Sequence, residues 1–476
     1  MNIALAQIKL RCADFKYNIK NIISKIETTE CDTIIFPQAD ISRLGGKDLS
    51  NDDVCNIEQI NFYETIAGMG FKKAIFIGDV LINNGEIVKS DDGFYKIDDK
   101  TIYVSEIYDE NIDCDLYILA QNRYFTIGQY SEFIDSIDPN HDFVYINPIC
   151  MADENIYGGR SFAKNKNGRL CVQMPLCEEK VQKVDFAIFS PIQEYSPEEE
   201  MLKITIFALK EYCEITGLKR VVLGLSGGID SALTAALAAR AIGPENVLGI
   251  LMPSMFSSQG SIDDSLKLAQ NLGIKTEKHS IVPLFDVFME KIAHETLDTS
   301  GKENLAVENL QARLRAVILM YFSNRDNRLL LSTGNKSEAA MGYGTLYGDM
   351  AGGLNLIADM TKTNVYKLSN YINKDSEIIP QETIDKAPSA ELRPNQKDQD
   401  SLPEYEILDD IIEMYIEKGM SQDEIYEKYD KNLVDDVIKR IYRNQFKRYQ
   451  ACLGVRLTEK AFFNGVDLPI LQNLYY

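Results

Sequence analysis

Histidine is nearly missing from this chain of 476 residues: His141, His279 and His294 are the only three, and they do not cluster. Zinc sites and nucleophile–base relays built on imidazole are therefore not expected, and each histidine reads as an isolated surface or core residue. Nine cysteines occur, but without a CxxC pair or any Cys/His spacing suited to a metal. Reduced thiols and a cytoplasmic location are the expectation. No apolar run approaches bilayer length, and the opening MNIALAQIKL has no signal-peptide pattern but reads at once as a strand, so no membrane partner is expected. Positive charge is also short, with 50 Lys and Arg against 72 Asp and Glu, for a net charge of −22. A nucleic-acid partner needs a basic footprint and is not expected. An acidic, solvated surface still permits an enzyme for anionic nucleotides if Lys, Arg and Mg²⁺ gather at one site. The 45% hydrophobic and 26% charged contents are ordinary for a globular protein, and the length suits two or three domains.

The segment SPIQEYSP, Ser190 to Pro197, carries two prolines between halves of different texture. It divides the chain into a domain over 1–189, a linker over 190–197 and a domain over 198–476. Strands are expected in the first half at Asn2–Ala6, Thr33–Phe36, Ala74–Leu81, Thr101–Val104, Leu116–Ala120 and Phe143–Ile146, with a helix over Asn18–Thr29. The second half alternates strands at Val221–Leu225, Val247–Met252 and Leu329–Ser332 with helices at Pro197–Gly217, Ser261–Leu272 and Leu305–Ser323. That alternation implies a doubly wound parallel sheet. From Glu404 onward the chain reads as charged and helical. No internal repeat or low-complexity tract is present.

The chemistry concentrates in the second half. Gly224, Leu225, Ser226, Gly227, Gly228, Ile229, Asp230 and Ser231 connect an apolar strand to the strong helix former SALTAALAAR. Backbone N–H groups at such a helix start bind anions, and paired glycines let a phosphate approach closely. Asp230 can hold Mg²⁺ against that phosphate. No lysine follows the glycines, which excludes the GxxxxGK[ST] P-loop. Further along, Asn309, Gln311 and Arg313 offer polar groups for a ribose, phosphate or carboxylate. Thr333 to Glu338 follows a strand end, where doubly wound sheets bind ligands, and Glu338 is a second carboxylate for Mg²⁺. Gly342 to Gly353 is a glycine-dense loop of the kind that closes over a ligand. Lys362 supplies a cation for transition-state charge.

SGGIDS resembles the loop of ATP pyrophosphatases. The series ENLQARLRA, STGNKSEAAMGYGTLYGDMAGG, TKTNVYKL and PSAELRPNQKDQDSLPEYEILDDII resembles, from Pro197 to about Leu457, the synthetase domain of NAD⁺ synthetases. The resemblance implies an ATP pyrophosphatase-type fold and a two-step reaction. The nicotinate carboxylate of deamido-NAD attacks the α-phosphate of ATP and pyrophosphate leaves; ammonia then attacks the acyl-adenylate and AMP leaves, giving NAD⁺. It also implies ATP contacts at Gly224–Ser231, Thr333 and Lys362, Mg²⁺ at Asp230 and Glu338, and deamido-NAD contacts at Asn309, Arg313, Glu338, Asp349 and Lys447. Asp230, Glu338 and Lys362 would carry the catalysis, and Asp349 is a candidate to take a proton from ammonium. A homo-oligomer is implied, its size unstated.

The first half resembles the nitrilase-type glutaminase domain that many NAD⁺ synthetases carry, a shortened α-β-β-α sandwich. MNIALAQIKLRCADFKYNIKNI, Asp32–Gln38, Val144–Asn147 and Gly158–Phe162 carry that likeness. The family's triad is Glu, Lys and Cys. Here Gln38 stands at the Glu position and Ser105 at the Cys position, and the segment expected to bear the Lys is missing between Val88 and Thr101. An amide cannot accept a proton as a carboxylate does, and a hydroxyl without a base is a weak nucleophile. The expectation is an ammonia-using synthetase with an inactive glutaminase fold, supplied from solution or by a separate glutaminase. Two alternatives stay open: a working glutaminase with a displaced nucleophile, Cys114 or Cys150, and a non-catalytic scaffold.

Overall fold

The computed structural model describes residues 1–40, 44, 49, 52–295, 297, 304–394 and 396–473. The chain divides into two compact units, Met1–Ile204 and Thr205–Tyr476. The strands of the first are β1 (Ile3–Gln7), β2 (Thr33–Phe36), β3 (Ala74–Ile77), β4 (Val80–Asn83), β5 (Glu86–Val88), β6 (Phe94–Ile97), β7 (Lys100–Ser105), β8 (Leu116–Leu119), β9 (Asp142–Tyr145), β10 (Ile149–Ala152), β11 (Asn155–Gly158), β12 (Phe162–Lys164), β13 (Leu170–Gln173) and β14 (Lys180–Val184). One sheet has the order β14-β1-β2-β3-β4-β5 and another β13-β12-β9-β8-β7-β6; β10 and β11 form a separate hairpin.

The alternation along each strand explains the layering. On β1 and β2, Ala4, Ala6, Ile34 and Phe36 pack toward the helices Phe15–Thr28 and Asp53–Gly68, meeting Ile22, Ile26, Phe62 and Ile66. Their neighbours Ile3, Leu5 and Ile35 face Ile102, Val104, Leu116, Ile118 and Val144 of the second sheet. On that sheet's far side Tyr117, Leu119, Phe143 and Tyr145 cover Ile134 of the helix Gln129–Asp135. Strands apolar on both faces are what a sheet buried on both sides requires. The result is the expected α-β-β-α sandwich. The run Ala74–Leu81, expected as one strand, is instead the hairpin of β3 and β4. Gly78 makes the reversal at φ +60, and a side chain there would collide with Gln38. Between β5 and β7, residues 89–99 hold only β6 and its tight turns.

His141 is buried in this unit, flat against Tyr117 at 5.1 Å, and among the described residues neither ring nitrogen has a hydrogen-bond partner. Burial pushes its pKa below the ordinary value, against the pull of Asp142 and Asp113. The unfolded chain therefore takes up this proton at a higher pH than the folded one, so stability falls as the pH drops below about 6.5. His141→Phe is expected to flatten that dependence, read as urea midpoints at about pH 5.5 and 7.5; an unchanged slope would refute the assignment.

The helix Pro197–Thr216 leads from one unit into the other, with Glu200 in its first turn paired to Arg160 at 2.8 Å, both nearly fully buried. The second unit holds β15 (Val221–Gly224), β16 (Val247–Leu251), β17 (Lys275–Lys278), β18 (Leu329–Ser332) and β19 (Leu354–Asn355), ordered β17-β16-β15-β18-β19 and all parallel. The order reverses at β15, and a doubly wound sheet opens a ligand crevice at such a point, beyond the strand C-terminal ends. Among the described residues no helix is long and apolar enough to cross a membrane.

Candidate active site

The loop from β15 to the helix Ile229–Ile242 lies at that switch point. Gly227 has φ +82, and a Cβ there would lie 2.5 Å from the Ser261 carbonyl oxygen, so only glycine fits. Gly228 is the helix N-cap and brings no side chain to the first-turn N–H groups. Ser226 and Ser231 tie the loop together: the Gly228 N–H donates to Ser226 Oγ at 3.2 Å, and Ser231 Oγ donates to the Gly228 carbonyl at 2.9 Å.

Asp230, in that first turn, meets two other segments. Its Oδ2 pairs with Lys362 Nζ at 2.5 Å and its Oδ1 accepts from Asn335 Nδ2 at 2.9 Å. Asn335 also caps the helix Lys336–Met341 in a capping box with Glu338. Glu338 Oε1 lies 3.5 Å from the same Lys362 ammonium. Burial, and then Asp230, pushes Glu338 above the usual carboxylate range, while Lys362 opposes. Burial pulls Lys362 down, but Asp230 and Glu338 outweigh it and raise it. Two carboxylates therefore crowd one small region that favours a cation. They are hard oxygen donors, and Mg²⁺ commonly takes one or two carboxylates with phosphate oxygens completing its shell, so the residues fit that ion.

Lys362 is held from behind. Its backbone N–H donates to Ser337 Oγ at 2.9 Å, the next N–H, of Thr363, donates to Asp409 Oδ2 at 2.8 Å, and the Ser337 hydroxyl donates to Asp409. Beneath, Lys336 is wholly buried. It pairs with Asp359 at 2.8 Å and Glu417 at 2.7 Å and donates to Thr458 Oγ1. Asp359 Oδ2 in turn accepts from the backbone N–H groups of Leu457 and Thr458.

Asp230, Glu338 and Lys362 line a cavity of about 610 Å³ that also takes in the rest of Gly224–Ser231, Thr333, Asn309, Asp349 and Lys447. Thr345 Oγ1 donates to Asn309 at 2.7 Å and the Thr345 N–H to Asp349 at 2.7 Å. The protein groups crowding Asp349 in the cavity desolvate it and raise its pKa, against the Thr345 N–H. Lys447 donates to the carbonyls of Gly342 and Gly344 at 2.7 and 2.9 Å; burial lowers it, against Asp349. Of the expected site residues in this unit, Gln311 and Arg313 are not brought to this cavity: Arg313 is exposed and donates to the Leu346 carbonyl at 3.1 Å, and Gln311 is buried, its Nε2 donating to the Leu392 carbonyl at 2.9 Å. Arg315 lines the cavity instead, as do Lys386 and Asp398. The stripe Leu305, Glu308, Asn309, Ala312, Arg315, Ala316 and Leu319, spaced three or four apart on the helix Leu305–Asp326, was the available signal.

In the first unit, Gln38 is buried, its Nε2 donating to Asp79 at 2.8 Å and its Oε1 accepting from the N–H of Ala39 at 3.1 Å. Ser105 Oγ donates to the Ile107 carbonyl at 2.5 Å and lies 2.8 Å from the Tyr117 hydroxyl. Burial pushes the Cys114 thiol up to about 11, and Cys150 lies inside the core.

The NAD synthase family model matches residues 201–451, and the chain belongs to that family. It is 41% identical over 345 residues to the glutamine-dependent NAD(+) synthetase of a Synechocystis strain, a match covering 70% of this chain and 61% of that one. With the enzyme of that name from Thermotoga maritima the identity is 47% over 293 residues, covering 59% and 50%. The chain thus spans about half to two thirds of these relatives' length. Among solved structures it resembles the glutamine-dependent NAD+ synthetase of Acinetobacter baumannii in complex with adenosine diphosphate, with TM-score 0.74, 26% identity and 98% of each chain covered. The corresponding enzyme of Cytophaga hutchinsonii shares the fold at TM-score 0.83 and 19% identity, over 99% of this chain and 98% of that one.

Proposed function

We propose that the chain is an ATP-dependent ligase that converts deamido-NAD to NAD⁺. The observation that carries this is the convergence of Asp230, Glu338 and Lys362 at the Ser226–Ser231 loop, in one cavity with Asn309, Asp349 and Lys447. A carboxylate is a poor acyl donor at neutral pH because oxide is a poor leaving group. Attack by the nicotinate carboxylate on the α-phosphate forms a P–O bond and expels pyrophosphate. Attack by ammonia then forms the C–N bond and expels AMP, with a proton lost from nitrogen. The protein's share is positioning and charge stabilisation. The loop N–H groups and Lys362 hold the phosphates. Asp230 and Glu338 would hold Mg²⁺, whose charge would offset that of the phosphates. Asn309, Asp349 and Lys447 face the second nucleotide, with Asp349 the group best set to take a proton from ammonium. Scattered thiols and charged, diffusible substrates suit the cytoplasm, and a homo-oligomer with domains over 1–189 and 198–476 joined by 190–197 is part of the same reading.

The nitrogen source has two readings. The names of the curated relatives favour glutamine, hydrolysed in the first unit by a nucleophile displaced from position 105. The bonding of Gln38 and Ser105 favours free ammonia or a separate glutaminase. NAD⁺ formation from deamido-NAD, ATP and Mg²⁺, with ammonium chloride or glutamine as donor, tests both. Turnover with ammonium is expected, and its absence would refute the ligase. Turnover with glutamine that disappears in Cys114→Ala or Cys150→Ala, ammonium use being retained, would establish the displaced nucleophile; ammonium-only turnover would establish the inactive glutaminase fold.

A further inference from the structure

Most cations lining the cavity of the second unit already face a carboxylate. Lys362 has Asp230 and Glu338; Lys386 has Asp264 and Glu391, each at 3.7 Å. Arg393 has Asp400 at 3.5 Å and Glu308 at 3.8 Å, and Arg440 has Asp436 at 2.9 Å. Arg315 differs. Its Nε donates to the Met252 carbonyl at 3.1 Å, and among the described residues no carboxylate lies within ion-pair distance of it. Burial pulls its pKa down to about 10, and Glu391 and Asp349 oppose this only from a distance. A half-buried guanidinium without a counter-charge is poorly compensated for the water it has lost, and its planar fork matches phosphate oxygens.

The position of Arg315 narrows the anion. Met252 follows β16, next to the end of β15 where the Ser226–Ser231 loop begins. There a Cβ on Gly224 would lie 3.1 Å from Met252 Cε and 3.6 Å from Leu319 Cδ1, one helical turn beyond Arg315. Arg315 therefore stands beside the loop whose N–H groups suit a phosphate, whereas Lys447, which also faces no carboxylate within ion-pair distance among the described residues, is taken up by the Gly342 and Gly344 carbonyls. We propose that Arg315 binds a phosphate group of a nucleotide substrate through its terminal amino groups, and that this phosphate belongs to ATP rather than to the dinucleotide. The proposal rests on the ligase reading for the identity of the two nucleotides, but the phosphate contact itself does not.

The test is calorimetric titration of the full chain, parent, Arg315→Gln and Arg315→Lys, with inorganic pyrophosphate, ATP and deamido-NAD in turn. Arg315→Gln is expected to weaken pyrophosphate and ATP about tenfold or more and to leave deamido-NAD unchanged. Arg315→Lys keeps the charge but not the fork and should recover part of the loss. It also serves as the readout if the Gln variant does not fold. Loss of deamido-NAD affinity alone would overturn the assignment to ATP. Unchanged affinity for all three in variants that melt like the parent would overturn the anchor altogether. If the parent binds pyrophosphate through Arg315 but makes no NAD⁺, the ligase reading fails and the anchor stands.

Discussion

Asp230→Asn is expected to cut ammonium-supported NAD⁺ formation by about 10²- to 10³-fold, the usual scale for removing a preorganised electrostatic group. The amide keeps the size of the side chain and a hydrogen bond to Asn335, but it gives up the charge that Lys362 faces at 2.5 Å. Lys362 then has only Glu338, at 3.5 Å, and a cation held by two carboxylates loses one of them. Initial rates at saturating ATP and ammonium, beside a melting curve, separate chemistry from stability. Near-parental turnover would remove Asp230 from the catalytic group.

The largest stability effect is expected at Lys336. Lys336→Met leaves Asp359, wholly buried, and Glu417, largely buried, without their counter-charge. Breaking a buried ion pair from one side costs about 3–5 kcal/mol, because the remaining charge cannot return to water. Urea unfolding of the variant measures the loss, and amide exchange at Leu457 and Thr458, whose N–H groups donate to Asp359, locates it. A loss below about 1 kcal/mol would mean that the pair contributes little beyond an exposed one.

Where a single backbone geometry demands particular residues, the sequence was readable. The loop at Gly227 and Gly228 needs a left-handed glycine and an uncapped helix start, and the string SGGIDS announces both. Strands such as β2 and β8 were readable because they carry unbroken apolar runs, whereas their assembly into a sandwich was read from the resemblance of the first half to nitrilase-type domains. Other features were hidden by two-fold meanings. Ala74–Leu81 is apolar enough for one strand, and only Gly78 marks the reversal into β3 and β4. β17, Lys-Thr-Glu-Lys, has no apolar signal because it is an edge strand with largely solvated side chains. The region after Glu404 looks charged, yet Tyr405, Leu408, Ile411, Ile412, Val434, Val437, Ile438 and Ile441 form a buried core at helical spacing. Arg313 and Arg315 are two residues apart on one helix and so face different sides, a distinction motif matching does not make and helical geometry does.

The four consecutive residues Asn335 to Glu338 send their side chains to four destinations: Asp230, the buried Asp359 and Glu417, Asp409, and Lys362. Breeding this protein for yield and for speed would therefore meet the same obstacle at the same place. In a randomised library, clones altered across this tetrapeptide should drop out of an expression screen and a turnover screen together. An engineer seeking to trade one property against the other would have to work elsewhere on the molecule.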